Sequence, residues 1–481
     1  MPEILAVDIG TSRIKCALFD ENGRMSHLRS RRLDRASAPN LQKAEVWTET
    51  AAALLRELTA LPDCPKIDAV ALTGNMHALL GVDSCGVPVA PAVLWSDNSA
   101  ALESDMLNRR YGQSLLDKFG NSSIPVFTLP KILRMKKVEP EQYGRTCKFL
   151  QSKDFIAFFL TGHFITDPSD ASGTLLMELE SGNWSEELLD DLELDPEKLP
   201  DILPSASVCG KITPEAARQT GLTAGIPVVT GCGDLASAAV GGGVNDETLS
   251  LTLGTAGQLL ASGEPGQGKH LAGSLFVFAH ADPERELYLG SVPAGGFSFE
   301  WLARMHNLTV DGFFREAEKS SPERDLPVFL PYLLGRGAPY MDYAADGAWR
   351  HLKASHTLAD LCLGAVFGTL CPLRQCADLF EQLIGPRPNL MLQALACREK
   401  AVREAAGGLF RQNKFLPENS EASLLGAAVT GMVALKHFGG FPEAGAAMVR
   451  GTECGMPSDS RAQNYYAAFR ELLEPQSDKT F

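Results

Sequence analysis

The chain has 481 residues, of which 45% are hydrophobic and 21% charged, values typical of a globular protein that buries a sizeable core. Its 44 Lys and Arg against 59 Asp and Glu give a formal net charge of −15, which repels nucleic-acid backbones and anionic lipid surfaces. The length predicts more than one domain, and neither a nucleic-acid partner nor a membrane-surface role is expected.

The sequence lacks the features of a membrane or secreted protein. No stretch approaches the roughly 18 consecutive apolar residues of a membrane-spanning helix. The first residues, MPEILAVDIG, include an acidic residue and lead directly into a strand pattern, unlike a secretory signal. The 11 cysteines are scattered, with no Cys-x-x-Cys pair. We therefore expect reduced thiols, a cytoplasmic location and no structural zinc.

Short apolar strands alternate with helical patterns along the chain. Strands are expected at Ile4–Asp8, Lys15–Phe19, Ile67–Leu72, Val89–Trp95 and Pro227–Thr230, the last leading into a glycine-rich turn. Helices are expected at Val46–Leu58, Leu129–Val138 and Lys153–Leu160, and near Leu235. The alternation predicts a layered α/β fold.

One segment near the N-terminus is echoed half a chain later. Leu5–Phe19 is an apolar strand, a Gly-Thr turn and a second apolar strand, and Leu249–Leu260 has the same plan. The echo predicts two similar α/β halves, residues 1–241 and 242–481, that face each other across a cleft; chance similarity of a common pattern is the alternative. Ligands of such proteins bind between the halves.

Both turns of the echo have residues suited to binding phosphate. In the first, Asp8 ends a strand beside Gly10, Thr11 and Ser12, whose small size lets phosphate oxygens approach backbone amides. Mg²⁺ prefers oxygen ligands and keeps several waters, so Asp8 is a candidate to orient it. The second turn, Gly254 to Gly257 with Thr255, lacks a carboxylate. Ordinary hairpins are the alternative for both.

Asp234 is the candidate general base. It follows a strand and Gly231-Cys232-Gly233, and it precedes a run of small residues with a helical pattern. At the start of such a helix, in a cleft, a carboxylate can accept a hydroxyl proton. The alternative is a simple N-cap, the commonest use of Asp at this position.

Two further groups of polar residues follow strand ends, where open α/β sheets bind ligands. Met76 and His77 follow one strand, and Trp95 follows another. His77 is a candidate to bond a ligand hydroxyl, and Trp95 to pack on an apolar ligand face; a satisfied, partly buried histidine is the alternative. Lys153 is interpreted as part of a solvated helix face. The small residues Gly426 and Ala427 favour close helix packing, with a flat ligand as the alternative.

In order, the motifs DIGTS, GNMH, LWSD, GCGD, LGTAG, FLPYLLGRGAP and SLLGAA resemble those of the FGGY carbohydrate kinases. The resemblance runs from Ile4 to about Leu435. Within it, Phe119–Trp184 is most similar to the xylulokinase subgroup. Each motif alone is weak, but seven in the expected order make a specific signal.

The resemblance implies a duplicated ribonuclease-H-like fold of the actin and hexokinase type. It implies transfer of the ATP γ-phosphoryl group to a ketose hydroxyl, with D-xylulose expected first, and a homodimer is plausible. By motif, the implied site has Asp234 as the general base, Met76, His77 and Asp234 on the sugar, Asp8 near Mg²⁺, Thr11, Ser12, Gly254 and Thr255 at the phosphates, and Gly426 and Ala427 near the adenosine.

Three positions depart from the family pattern. Leu235 stands where Asn is common, and Ser99 where Arg is frequent. The glycine-rich adenine loop is replaced by residues 390–406, which contain no glycine. Kinases for ribulose, gluconate, sedoheptulose or another polyol are therefore alternatives. A sugar-binding regulatory protein with a degraded ATP site is another.

Overall fold

The protein is described here by a computed structural model, which covers residues 2–34, 40–394, 397, 399–455 and 459–473. The strands of the first half are β1 (Ile4–Ile9), β2 (Arg13–Phe19), β3 (Met25–Arg32), β4 (Leu41–Gln42), β5 (Ala69–Gly74), β6 (Leu80–Val82), β7 (Ala92–Val93), β8 (Lys148–Leu150), β9 (Ile165–Thr166), β10 (Asp201–Ile202), β11 (Val208–Lys211) and β12 (Pro227–Gly233). Its helices are α1 (Ala44–Thr59), α2 (Ala101–Phe119), α3 (Thr128–Val138), α4 (Pro140–Arg145), α5 (Ser152–Thr161), α6 (Pro168–Ser172), α7 (Glu186–Asp191), α8 (Pro214–Thr220) and α9 (Asp234–Gly241).

The second half begins with the strand that follows α9. Its strands are β13 (Thr248–Leu253), β14 (Gly257–Gly263), β15 (Phe276–Ala279), β16 (Glu286–Val292), β17 (Val328–Leu330), β18 (Ala348–Arg350), β19 (Asn389–Gln393), β20 (Asn413–Pro417) and β21 (Gly451–Glu453). Its helices are α10 (Gly296–Met305), α11 (Val310–Ala317), α12 (Leu358–Ile384), α13 (Lys400–Leu409), α14 (Ala422–Ala434), α15 (Phe441–Met448) and α16 (Ala462–Glu471). None of the helices in the described residues is long and apolar enough to cross a membrane.

The two large sheets share one strand order. The first runs β11-β12-β5-β1-β2-β3, and the second runs β15-β16-β14-β13-β19-β20-β21. In the first, β12, β5 and β1 are parallel, and β2 and β3 follow antiparallel. In the second, β20, β19 and β13 are parallel, and β14 and β16 follow antiparallel. The duplicated α/β fold expected from the sequence echo is confirmed.

Helices cover both faces of the first sheet, which explains why its central strands are apolar throughout. Along β1, Leu5, Val7 and Ile9 pack with α1 and α5, while Ile4 and Ala6 pack on the opposite face with α9 and α14. Helix α14 lies between β20 and β21 of the second sheet in sequence but packs on β1 of the first. It crosses α9 there, so these two helices join the halves.

Candidate active site

The carboxyl ends of β1, β5 and β12 form one edge of the first sheet. The register places Ile9 beside Gly74, and Gly74 beside Gly233. The residues that follow these positions therefore emerge together. Neighbouring strands lie about 4.8 Å apart, so the ends of β1 and β12 are separated by about 10 Å. This spacing brings together three of the segments singled out in the sequence, those that carry Asp8, His77 and Asp234.

Asp234 is the first residue of α9, directly after β12. The expected turn after Thr230 is wrong, because β12 continues through Gly233. It does so with a break in its pairing to β5 between Val229 and Cys232. Gly231 absorbs the break at a φ of 73°, where a Cβ would overlap the carbonyl oxygen of Leu72. Only glycine fits this position.

The two carboxyl groups at this edge have raised pKa values. Burial raises the pKa of Asp234 to about 6, although backbone groups of Leu235 and Met76 lower it in part. Burial also raises the pKa of Asp8 to about 7, the Asp234 carboxylate adds to the rise, and Lys15 opposes it. Lys15 itself forms an ion pair of 2.5 Å with Glu421. A divalent cation bound here would relieve the repulsion, and carboxylate oxygens are ligands that Mg²⁺ prefers. The residues present therefore fit the metal.

The first Gly-Thr turn joins β1 to β2 at this edge. Gly10 has no room for a side chain, since a Cβ would lie 2.9 Å from the carbonyl oxygen of Arg13. Thr11 is half-buried and Ser12 is exposed. The indole Nε1 of Trp95, a side chain 46% exposed, donates to Thr11 Oγ1 at 2.9 Å. This bond connects the segment that follows β7 to the first Gly-Thr turn.

The second Gly-Thr turn joins β13 to β14 and leaves Gly254 and Thr255 exposed. Helix α10 begins against it: the N–H of Gly296 donates to Gly254 O at 2.7 Å, and that of Phe297 to Thr255 O at 3.1 Å. A Cβ at Gly295 would overlap the turn. This contact was not expected from the sequence, in which the Gly295-Gly296 pair was the available signal.

His77 lies at the end of β5 with a left-handed backbone, φ 64°. Its Nδ1 lies 2.7 Å from the carbonyl oxygen of Gly173. A carbonyl oxygen can only accept a hydrogen bond, so Nδ1 carries the hydrogen. In the neutral ring, Nε2 is then left as an acceptor. Burial lowers the pKa of His77 to about 4, which keeps the ring neutral. The ring packs edge-on against Phe127, with centroids 5.1 Å apart.

Met76 is 5% exposed and fills the space between two glycines of the site. A Cβ at Gly173 would lie 2.8 Å from Met76 Cε, and one at Gly233 would lie 2.7 Å from Met76 Cγ. The Met76 side chain therefore packs against both Gly173, which contacts His77, and Gly233, which precedes Asp234.

Lys131 on α3 connects the two strand-end segments and was missed in the sequence. Its Nζ donates to the carbonyl oxygens of His77 at 2.8 Å and Leu94 at 2.9 Å. The side chain is 3% exposed, and burial lowers its pKa to about 7. Ser99, where the family frequently has Arg, donates from its N–H to Asp97 Oδ1 at 2.9 Å.

The interpretation of Lys153 as a solvated residue is wrong. Its side chain is fully buried, with Nζ 2.8 Å from Asp154, 3.2 Å from Asp167 and 3.4 Å from Asp170. Lys153 lies in the first turn of α5 and faces β5, where a Cβ at Gly74 would contact it. Burial alone would lower the pKa of Lys153, but the three carboxylates raise it. A Lys-Asp pair in the first turn of a helix is usually exposed to solvent, so nothing in the sequence indicated that Lys153 is buried.

Gly426 and Ala427 lie in the crossing of α14 with α9. A Cβ at Gly426 would overlap the carbonyl oxygen of Ser237, and one at Gly241 would overlap that of Ala422. This is the close helix packing expected from the small residues. The adenosine contact implied for Gly426 and Ala427 stays a prediction. Of the glycine-free segment 390–406, residues 395, 396 and 398 lie outside the described part of the chain.

The two halves share one strand order, and each has a Gly-Thr turn. The edge of the first sheet also holds the buried carboxyl groups of Asp8 and Asp234. This combination defines a phosphotransferase of the actin and hexokinase type. Residues 3–241 match the N-terminal domain of the FGGY family of carbohydrate kinases, and residues 253–435 match its C-terminal domain. The chain belongs to this family, and it is a carbohydrate kinase.

Curated relatives and solved structures agree with this assignment. The chain is 31% identical over 391 residues to a xylulose kinase of Lactococcus lactis, a match covering 79% of this chain and 77% of the relative. It is 25% identical to a gluconokinase of Bacillus subtilis, over 96% of this chain and 93% of the relative. The crystal structure of a xyloylose kinase from Brucella ovis superposes with a TM-score of 0.89 at 26% identity, covering 98% of each chain.

Proposed function

We propose that the protein transfers the γ-phosphoryl group of ATP to a hydroxyl of a ketose, D-xylulose first, with Asp234 as the general base. The observation that carries the proposal is the position of Asp234. It lies at the sheet edge, two strands from Asp8, with a pKa raised to about 6. Relatives named xylulose kinase support the choice of sugar.

Asp234 accepts the proton of the sugar hydroxyl as the phosphoryl group is transferred. A base whose pKa lies near 6 is ionised at neutral pH and still basic enough to take a proton. Its start-of-helix position keeps the carboxylate oxygens near backbone N–H groups, which fixes their direction. Phosphoryl transfer depends mainly on such positioning and on charge stabilisation.

The sugar lies against the segments that follow β5 and β7. His77 Nε2 accepts a hydrogen bond from a sugar hydroxyl, because Nδ1 is committed to Gly173. Met76 limits the depth of the pocket, and the exposed ring of Trp95 covers an apolar sugar face.

The nucleotide binds across the two Gly-Thr turns. Backbone N–H groups of both turns donate hydrogen bonds to the phosphate oxygens. On one side these are the N–H groups of Gly10, Thr11 and Ser12, and on the other those of Gly254 and Thr255. Asp8 orients Mg²⁺, which supplies positive charge to the phosphates when bound. Gly426 and Ala427 on α14 stand near the adenosine, and domain closure excludes water from the transfer.

Gluconate is the second candidate substrate. The chain aligns with a gluconokinase over 96% of its length at 25% identity, a longer though weaker match than that to the Lactococcus relative. Leu235 and Ser99 depart from the family pattern, and they are the positions at which a different acceptor sugar would be accommodated.

The test of the base is Asp234→Asn, which keeps the shape of the side chain and removes its charge. We expect loss of ADP release by at least about 100-fold, with circular dichroism and Tm retained. Asp311→Asn, in the first turn of the distant helix α11, is the matched control and keeps wild-type turnover. A folded Asp234→Asn enzyme with normal turnover would exclude Asp234 as the base.

A further inference from the structure

The strand-to-helix turn at which β12 ends and α9 begins carries Asp234, and it is not held by the sheet alone. Where β12 loses its pairing with β5, the N–H of Gly231 donates to the carbonyl oxygen of Ser205 at 3.0 Å. The N–H of Gly233, directly before Asp234, donates to Ser169 Oγ at 2.9 Å. A side chain on α6 therefore accepts the hydrogen bond of the backbone N–H that directly precedes Asp234.

The hydroxyl of Ser169 has its direction fixed. It donates to Asp167 Oδ2 at 2.6 Å, so its only hydrogen is used and its lone pairs face Gly233. The same carboxylate oxygen accepts from the N–H of Ser169 at 3.0 Å and from Ser205 Oγ at 2.8 Å. Three donors converge on one buried atom, so the orientation of Asp167 is strongly restrained.

The other oxygen of Asp167 lies 3.2 Å from Lys153 Nζ, and both side chains are fully buried. Asp170 completes the cluster beneath the turn, with neither of its oxygens hydrogen-bonded. Burial and the carboxylates of Asp154, Asp167 and Asp234 raise the pKa of Asp170, against the effect of Lys153. Buried charges of this kind tolerate little displacement, because moving either partner leaves the other unpaired.

We propose that Ser169 is a positioning residue, and that Lys153, Asp167 and Ser169 form a relay that fixes Gly233 and thereby aims the Asp234 carboxylate at the sugar hydroxyl. The inference rests on the proposed role of Asp234. It explains why an otherwise costly buried lysine and carboxylates lie directly beneath this turn.

The test compares Ser169→Ala with Ser205→Ala. Both delete one buried hydroxyl that donates to Asp167 Oδ2, and only the first removes the acceptor of the Gly233 N–H. We expect both variants to lower Tm, and Ser169→Ala to lower it more because it also leaves the buried Gly233 N–H without an acceptor. We expect Ser169→Ala to lower kcat by about 10- to 100-fold with KM for ATP unchanged, and Ser205→Ala to keep kcat within about threefold.

Ser169→Thr retains the hydroxyl and is expected to restore kcat. If Ser169→Ala does not fold, Ser169→Cys and Ser205→Cys are compared in the same way, since sulfur is a weak acceptor. Equal kcat values for the Ser169 variant and the matching Ser205 variant, both folded, would overturn the proposal that Ser169 positions Asp234. Failure of the base assignment is seen separately, as normal turnover in Asp234→Asn.

Discussion

Single side chains at the edge of the first sheet hold the backbone of the residues proposed to contact the sugar. Lys131 stands beneath both strand-end segments, and its two hydrogen bonds fix the backbone of His77 and of Leu94, next to Trp95. His77 adopts a left-handed backbone that costs free energy for a residue with a Cβ. The Lys131 bond helps to hold it there, so a residue without predicted sugar contact controls two that have it.

Replacing Lys131 by Met removes both bonds and keeps the length of the side chain. We expect KM for the sugar to rise by about tenfold, because the His77 and Trp95 segments separate, while KM for ATP stays unchanged. Steady-state kinetics with each substrate varied in turn measures the difference. Lys148→Met is the control, since Lys148 donates to the carbonyl oxygen of Leu199 outside the site. Equal effects on both KM values would contradict this role.

The raised pKa of Asp234 predicts a pH limit on activity. Burial raises it to about 6, so protonation increases as pH falls through that value and the base is lost. We expect kcat/KM for the sugar to fall tenfold per pH unit well below pH 6 and to level off above it. The profile is measured at saturating Mg-ATP. A constant value from pH 5 to pH 8 would be inconsistent with Asp234 acting in its ionised form.

Helices α9 and α14 join the two halves through glycines. At Gly426 an added Cβ would overlap a carbonyl oxygen of α9, so the helices would have to separate. Gly426→Ala is expected to destabilise the protein by about 1–3 kcal/mol through overpacking. Gly112→Ala on α2 is the matched control, because an added Cβ has nothing within 4 Å. It should stabilise by roughly 0.5–1 kcal/mol. Urea unfolding measures both, and equal effects would show that the crossing has room.

Elements with a clear apolar period were predictable from the sequence. The two hairpins and the helices α1, α3 and α5 lie where their patterns indicated. The strand expected at Val89–Trp95 is reduced to Ala92–Val93. Pro88 and Pro91 explain this, because proline has no N–H to donate to a neighbouring strand.

The buried lysines that hold the site segments in place, Lys131 and Lys153, were not predictable from the sequence. Lys153 and Lys131 come from helices far apart in sequence from the strands they support, and a lysine at a helix start usually faces water. By contrast, Asp8, His77 and Asp234 were identifiable because each lies in or just after the C-terminal end of a strand. Strand ends are visible in one sequence, whereas contacts between distant helices are not.

At the scale of the whole molecule, the shared order of strands makes two halves that present a Gly-Thr turn each. Helix α14 lies between β20 and β21 of the second sheet in sequence and links the halves by packing on the first sheet. In the proposed function, the sugar binds at the edge of the first sheet and the nucleotide across both turns. The glycine-free segment 390–406 is the part of the chain that departs most from the family pattern expected of an ATP site.

The most direct test of the account is ADP release from Mg-ATP with a panel of acceptors: D-xylulose, D- and L-ribulose, sedoheptulose, gluconate and glycerol. We expect selective turnover of D-xylulose, which requires both a working base and a working nucleotide site. No ADP release with any acceptor, while a sugar still raises the Tm of the protein, would contradict it and favour a sugar-binding protein that has lost ATP turnover.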